Sequence, residues 1–175
     1  RVLRAYDRLY DGFNPTDKRV ADHIKGNLLA LRALCHLDLF QYFTVDYKNA
    51  SSPSVIKMDF VPENAFQVFP RNTVSEILDF IKDDLSQADA ILQAGLVPPV
   101  SGDPLPTGVT ALNTVFYLRP VAVNFIQCKV ALLEGDYATA QTIATTLLAA
   151  VPMSPKTVYP QIFTDANPGE SIFKL

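Results

Sequence analysis

The stretch "LEGDYATAQTIA", Leu133 to Ala144, decides how this chain folds. Upstream of it, residues from about 114 to 134 carry an apolar helical pattern that Gly135 ends. Downstream, Asp136 can cap a helix over about 137–150. Two helices joined only by Glu134-Gly135-Asp136 must lie antiparallel, and the small residues Ala138, Ala140 and Ala144 let the partner approach closely. Pro120 falls within the first of the two, so that helix either kinks there or begins near Pro120.

That is an αα-hairpin of the tetratricopeptide kind. A second hairpin is predicted from about 17–43 and 74–95, with a long insert at 44–72. Its later helix opens on Thr73-Val-Ser-Glu76, a capping-box pattern, and closes at Gly95. Between them, Val74, Ile77, Leu78, Ile81, Leu85, Ala88 and Leu92 form an apolar stripe. The earlier helix contains "GNLLALRALCHLDLFQYF", Gly26 to Phe43, which is apolar on most sides. Ile24, Leu28, Leu31, Cys35 and Leu39 make one stripe, and Leu34, Leu37 and Phe40 fill adjacent angles. A helix apolar nearly all round is buried between neighbours, so Arg32, His36 and Asp38 must occupy one wet face or pair internally. Thr16 is expected to cap this helix, after Gly12, Asn14 and Pro15 have ended a first helix over about 1–13. The expected fold class is all-α: tetratricopeptide-like antiparallel helical hairpins with long irregular inserted loops, in a single domain over 1–175.

The insert "TVDYKNASSPSVIKMDFVPENAFQVFPRN" carries Tyr47, Phe60, Phe66 and Phe69. Irregular loops of this length are uncommon in compact domains and are usually functional or disordered, and the aromatics argue against disorder. An aromatic plane can stack on the C–H face of a sugar ring. That chemistry makes Tyr47, Phe66 and Phe69 the candidate glycan-binding residues; the competing reading is that they pin the loop to the helices. Residues 96–113, rich in Pro and Gly, read as a surface loop. The tail from 151 onward has no strong periodicity.

Charged residues are 19% of the chain, below the roughly 25% of ordinary globular sequences, so much of it lies inside something. The net charge is −3 and no basic stripe exists to follow a phosphate backbone, which argues against a nucleic-acid partner. Asp79, Asp83 and Asp84 are assigned to the solvated side of their helix rather than to a catalytic pair. Of the two histidines, His36 reads as a hydrogen-bonded interior residue. No serine has a nucleophile-elbow context, no glycine loop has phosphate-binding spacing, and no Cys/His cluster has metal spacing. No catalytic residue, metal ligand or cofactor is therefore expected. Cys35 and Cys128 read as buried free thiols, with an interhelical disulfide left open. No run of 18 apolar residues is free of charge, so no transmembrane helix is predicted. Arg1 and the apolar end "SIFKL" suggest a piece of a longer polypeptide.

At Gly26–Phe43 the chain resembles the SusD/RagB family of outer-membrane nutrient-binding lipoproteins of Bacteroidetes. There a Gly-Glu-Ala-x-x-Leu-Arg-Ala segment leads into an apolar stretch; Leu31-Arg32-Ala33 stands in the matching place here, followed by Leu37, Leu39 and Phe43. "PRNTVSEILDFIKDDLSQADAIL", Pro70 to Leu92, is similar to the family's Arg, capped helix start and Ile-x-x-Asp-Leu-x-x-Ala. "AVNFIQCKVALLEGDYATAQTIA" resembles its later hairpin with Gly-Asp-Tyr-x-x-Ala, and "ESIFKL" its Glu-x-Ile-Phe segment. Asn27 replaces the usual Glu, and "FTVDY" replaces the more frequent Phe-Gly-x-x-Pro.

The resemblance implies the N-terminal to middle part of a longer SusD-like protein. It implies a non-enzymatic, cell-surface component that binds a glycan or other nutrient and caps a SusC-like TonB-dependent transporter. The membrane would be reached only through a lipid anchor outside these residues. The family's binding aromatics lie outside its shared motifs, so Tyr47, Phe66 and Phe69 rest on loop chemistry alone. The alternative is a tetratricopeptide-like adaptor that binds a peptide or protein partner in a helical groove.

Overall fold

Asn14 and Pro15 set the start of the longest helix. The structure, a computed structural model, describes residues 1–64, 66–98, 105–164, 166–167 and 169–174. Helix α1 (Val2–Leu9) continues as a 3-10 turn through Tyr10–Gly12. Helix α2 (Pro15–Phe43) then begins, with the Asn14 side chain accepting from the Asp17 N–H at 2.9 Å and Pro15 in the first turn. Asparagine at the cap and proline just inside it are favoured at a helix start, because proline lacks an N–H that the first turn leaves unbonded anyway. The pair expected to end one helix thus opens the next, and Thr16 lies inside it rather than capping it.

Helix α3 (Val74–Gly95) opens on the capping box: Thr73 Oγ1 accepts from the Glu76 N–H at 3.3 Å, and the Glu76 carboxylate accepts from the Thr73 N–H at 2.8 Å. Next come α4 (Thr107–Leu112), α5 (Pro120–Glu134), α6 (Tyr137–Ala150) and α7 (Tyr159–Phe163). The alternative at Pro120 resolves to a start: proline stands in the first turn of α5, and residues 113–119 are not helical. Gly135, at φ +79°, ends α5 in the left-handed region that favours glycine, and Asp136 accepts from the Thr139 N–H to start α6. Part of the stretch expected to be surface loop is helix α4. Val109 is fully buried there, and Gly108 lies so close to Val20 that a Cβ would stand 2.7 Å from its Cγ2. Residues 99–104 of that stretch lie outside the described residues.

The fold is all-α, built of tetratricopeptide-like antiparallel hairpins. Helix α2 packs along α3, α3 against α5, and α5 against α6. The core joins Ala33, Leu37 and Phe40 of α2 to Ile77, Ile81 and Leu85 of α3 and to Val123 and Ile126 of α5. The expected inward stripe of α2 is corrected. Ile24, Leu31 and Leu39 are each about 40% exposed and Cys35 is exposed, while Leu29, Ala30, Ala33 and Leu37 face inward. Small residues decide the matter. Gly26, Ala30 and Ala33 let the α3 backbone close in, and a Cβ on Gly26 would stand 2.8 Å from Leu92 Cγ. Cys128 is buried, with its thiol directed at the Ala140 carbonyl oxygen at 3.5 Å.

Asp84 is also corrected. Asp79 and Asp83 are exposed, but Asp84 is completely buried, because residues 77, 81, 84 and 88 share one face at helical spacing. Its two oxygens meet Arg32 Nε at 2.7 Å and Nη2 at 2.6 Å, a bidentate fork between α2 and α3. Hydrogen bonding to the Asp84 carboxylate pushes the Arg32 pKa further up. The Phe80 ring lies 4.8 Å from the guanidinium and 5.0 Å, edge on, from the His36 ring.

His36 in turn holds the insert. Its Nε2 accepts the Met58 N–H at 3.0 Å, so Nδ1 is the nitrogen that donates to the Arg32 carbonyl at 2.8 Å. Residues 52–55 run antiparallel to 72–74, through Ser54 N–H to Asn72 O at 2.7 Å and Asn72 N–H to Val55 O at 2.9 Å. Arg71 donates to the carbonyls of Phe43 and Ser54. The insert is irregular but strapped down.

At the far end, His23 is fully buried beside Gly95, and neither ring nitrogen has a partner of good geometry. Burial pushes its pKa down, and the Leu112 backbone only partly offsets this. A histidine whose folded pKa is lowered contributes stability that is complete above its ordinary pKa and is lost as pH falls below about 6.5. We therefore expect the melting temperature to drop between pH 7.5 and 5.5, and the drop to shrink in His23→Leu. Equal pH profiles for the two proteins would refute the assignment. Replacing Arg32 by Ala leaves Asp84 buried without its cation and is expected to cost about 3 kcal/mol. That is the low end for breaking a buried pair, since the Arg32 side chain keeps 24% exposure. Arg32→Met with Asp84→Leu should recover most of that loss in denaturant titrations.

Candidate functional site

The turn Gly135-Asp136 places Tyr137 at the head of α6, where its ring is 71% exposed. Across from it, residues 46–52 form a compact knot. Asp46 accepts from the Lys48 N–H, Asn49 from the Ser51 N–H, and the Ala50 carbonyl from the Ser75 N–H at the start of α3. These side-chain-closed turns fix the local backbone, and they present Tyr47, 47% exposed. Between the two tyrosines lies an open cleft of about 600 Å³, bounded by the knot, the start of α3 and the α5–α6 turn.

Val74, Leu78, Leu132 and Leu133 give the cleft an apolar part. Its polar part centres on Lys82, whose ammonium lies 2.8 Å from Glu134 and 3.3 Å from Asp79. Hydrogen bonding to Glu134 pushes the Lys82 pKa up, so the ammonium stays charged. Ser75 donates to Asp79 at 3.4 Å. Lys48 and Lys82 balance Asp79 and Glu134, which leaves the lining without net charge. Both carboxylates lean on the same cation. The arrangement offers hydroxyl-sized donors and acceptors flanked by two aromatic faces. Among the described residues, no group of three or more His, Cys, Asp or Glu is placed to hold a metal ion.

The three aromatics singled out in the sequence are not brought together. Tyr47 lines the cleft. Phe66 is 92% exposed elsewhere on the insert, with its N–H bonded to the Asn64 side chain. Phe69 packs on Phe60, ring centroids 4.5 Å apart, and serves the insert's own packing. Tyr137, Lys82 and Glu134 carry the rest of the cleft and were not singled out. The available signal was "EGDY" itself, since a two-residue turn must bring Tyr137 up beside the end of α5.

No family model matches the chain, and no curated protein matches it. A crystal structure of a SusD superfamily protein from Bacteroides thetaiotaomicron VPI-5482 does, with a TM-score of 0.65 and 20% sequence identity over 92% of this chain. The fold is SusD-like. The chain spans 33% of that protein's length. No helix among the described residues is long and apolar enough to cross a membrane.

The Lys82 bridges are exposed, and exposed ion pairs contribute at most about 1 kcal/mol. Lys82→Met is therefore expected to lower stability by less than that in urea titration, leaving a folded protein in which the cleft's polar centre is gone.

Proposed function

We propose that this chain belongs to a non-catalytic, cell-surface component that binds a glycan or related nutrient and works with a SusC-like TonB-dependent transporter. The observation that carries the reading is the Tyr47–Tyr137 cleft within a SusD-like fold. Sugar rings present flat C–H faces rimmed by hydroxyls. Two exposed phenol rings suit the faces. The Asp79–Lys82–Glu134 group suits the hydroxyls, because fixed charges make the stronger hydrogen bonds. A lining without net charge suits a neutral oligosaccharide, and an open cleft admits a chain that continues at both ends. Binding and handing on need no bond chemistry, which agrees with two carboxylates held by one lysine.

Affinity gels with neutral polysaccharides, run on the longest polypeptide that contains these residues, test the reading. Retardation of the parent is expected, together with roughly tenfold weaker binding for Tyr47→Ala or Tyr137→Ala, about 1.4 kcal/mol per ring. Phe69→Ala should leave affinity unchanged and lower the melting temperature. No retardation by any polysaccharide would overturn the glycan reading. Undiminished binding in the Tyr47→Ala, Tyr137→Ala double variant would move the site out of this cleft.

A further inference from the structure

The cleft between Tyr47 and Tyr137 does not end at its polar centre. Beyond the Lys82–Glu134 ion pair a second open cleft, of about 320 Å³, runs between α3, α5 and α6. Lys82 and Glu134 line both clefts. The pair, 2.8 Å apart, thus crosses one continuous trough as a bar, with the tyrosines on one side and the second cleft on the other.

Helical spacing builds the second cleft. Residues 127, 130, 131 and 134 of α5 stand at i, i+3, i+4 and i+7, so they share one face. Val130 and Ala131 are buried there, and Leu85 of α3 and Ile143 of α6 complete an apolar floor. Polar groups stand at its rim. The Gln127 amide has no hydrogen-bond partner among the described residues, so two N–H donors and a carbonyl acceptor remain for a ligand. Asp136 is exposed, and hydrogen bonding by Thr139 holds its carboxyl below the usual carboxylate range. Lys82 against Glu134 and Asp136 leaves an excess of negative charge, which repels acidic sugars. An apolar floor with a few polar groups around it suits a sugar ring, whose C–H face lies on the floor and whose hydroxyls meet the rim.

We propose that the second cleft is a further sugar-binding subsite. One neutral oligosaccharide lies across the Lys82–Glu134 bar, with its near rings between the tyrosines and its far rings beside Gln127. The inference rests on the glycan reading of the Tyr47–Tyr137 cleft and extends it: the ligand is a chain long enough to fill both subsites. A chain held in the first cleft meets the second as an intramolecular event, so its added contacts appear directly as affinity.

The test is calorimetric titration of the longest polypeptide that contains these residues. The probes are disaccharides and hexasaccharides, size-fractionated from a hydrolysate of the neutral polysaccharide that retards the protein in affinity gels. The hexasaccharide is expected to bind at least about tenfold more tightly than the disaccharide, more than its extra binding registers give by statistics. Gln127→Leu, a change on the helix surface, should weaken hexasaccharide binding roughly three- to tenfold, the loss of one hydrogen bond or two. Disaccharide affinity and melting temperature serve as its internal controls and should stay at the parent values. Tyr137→Ala should weaken both ligands. Equal affinity of the parent for the two lengths overturns the second subsite, and so does undiminished hexasaccharide binding by Gln127→Leu; in either case disaccharide binding leaves the tyrosine cleft standing. No binding at either length overturns the glycan reading itself, and this inference with it.

Discussion

The contact of α2 with α3 carries the rest of the molecule, and the Arg32–Asp84 fork fixes its register. A leucine can slide along a neighbouring helix by a turn at modest cost. A buried carboxylate cannot, because any position but one leaves it without its cation. The fork therefore selects one axial alignment among several that the apolar stripes would accept. Gly26 and the alanines of α2 set the distance, and Arg32 sets the offset. Through its own carbonyl, Arg32 also reaches His36, and through His36 the Met58 end of the insert. One residue, by its side chain and its carbonyl, thus ties together two helices and the long connection between them.

The placement of the cleft follows from that alignment. Its walls come from three separated parts of the chain: the knot after α2, the first turns of α3, and the α5–α6 turn. The knot is held by hydrogen bonds to the start of α3, and the α5–α6 turn is held to α3 by Lys82 bridging to Glu134. A change in the α2–α3 offset would move the Tyr47 wall relative to the Tyr137 wall. The cleft's rigidity comes from the core, which reaches its floor through Val74 and Leu78.

Polar groups inside this protein divide into two kinds. Arg32, His36 and Asp84 are matched donor to acceptor, and the Arg32–Asp84 and His36–Met58 bonds join parts of the chain distant in sequence. His23 is closed off beside Gly95 without such a match, so its burial favours the uncharged ring and leaves that end of the α2–α3 pair sensitive to acid. The same helix therefore carries a fixed polar junction near its centre and a titratable weak point nearer its start.

Local signals in the sequence were enough for the hairpins. The capping box at Thr73–Glu76, the Gly135-Asp136 turn and the apolar repeat of α3 each depend on residues within one or two helical turns, which is the range over which sequence pattern and backbone geometry are directly coupled. The SusD-like fold was also legible, in four short segments met in order. The side of α2 that faces inward was not, because both sides are apolar and the choice went to the small residues that α3 could approach. The role of Asp84 was not legible either, since a carboxylate on a helix looks solvated until its partner 52 residues away is in place. Of the candidate aromatics, Tyr47 was named from loop chemistry, but its opposition to Tyr137 across the Lys82 pair depends on three segments converging. Periodicity decides which elements form. Only tertiary packing decides which of their side chains meet, because that depends on offsets between helices that no single stretch of chain encodes.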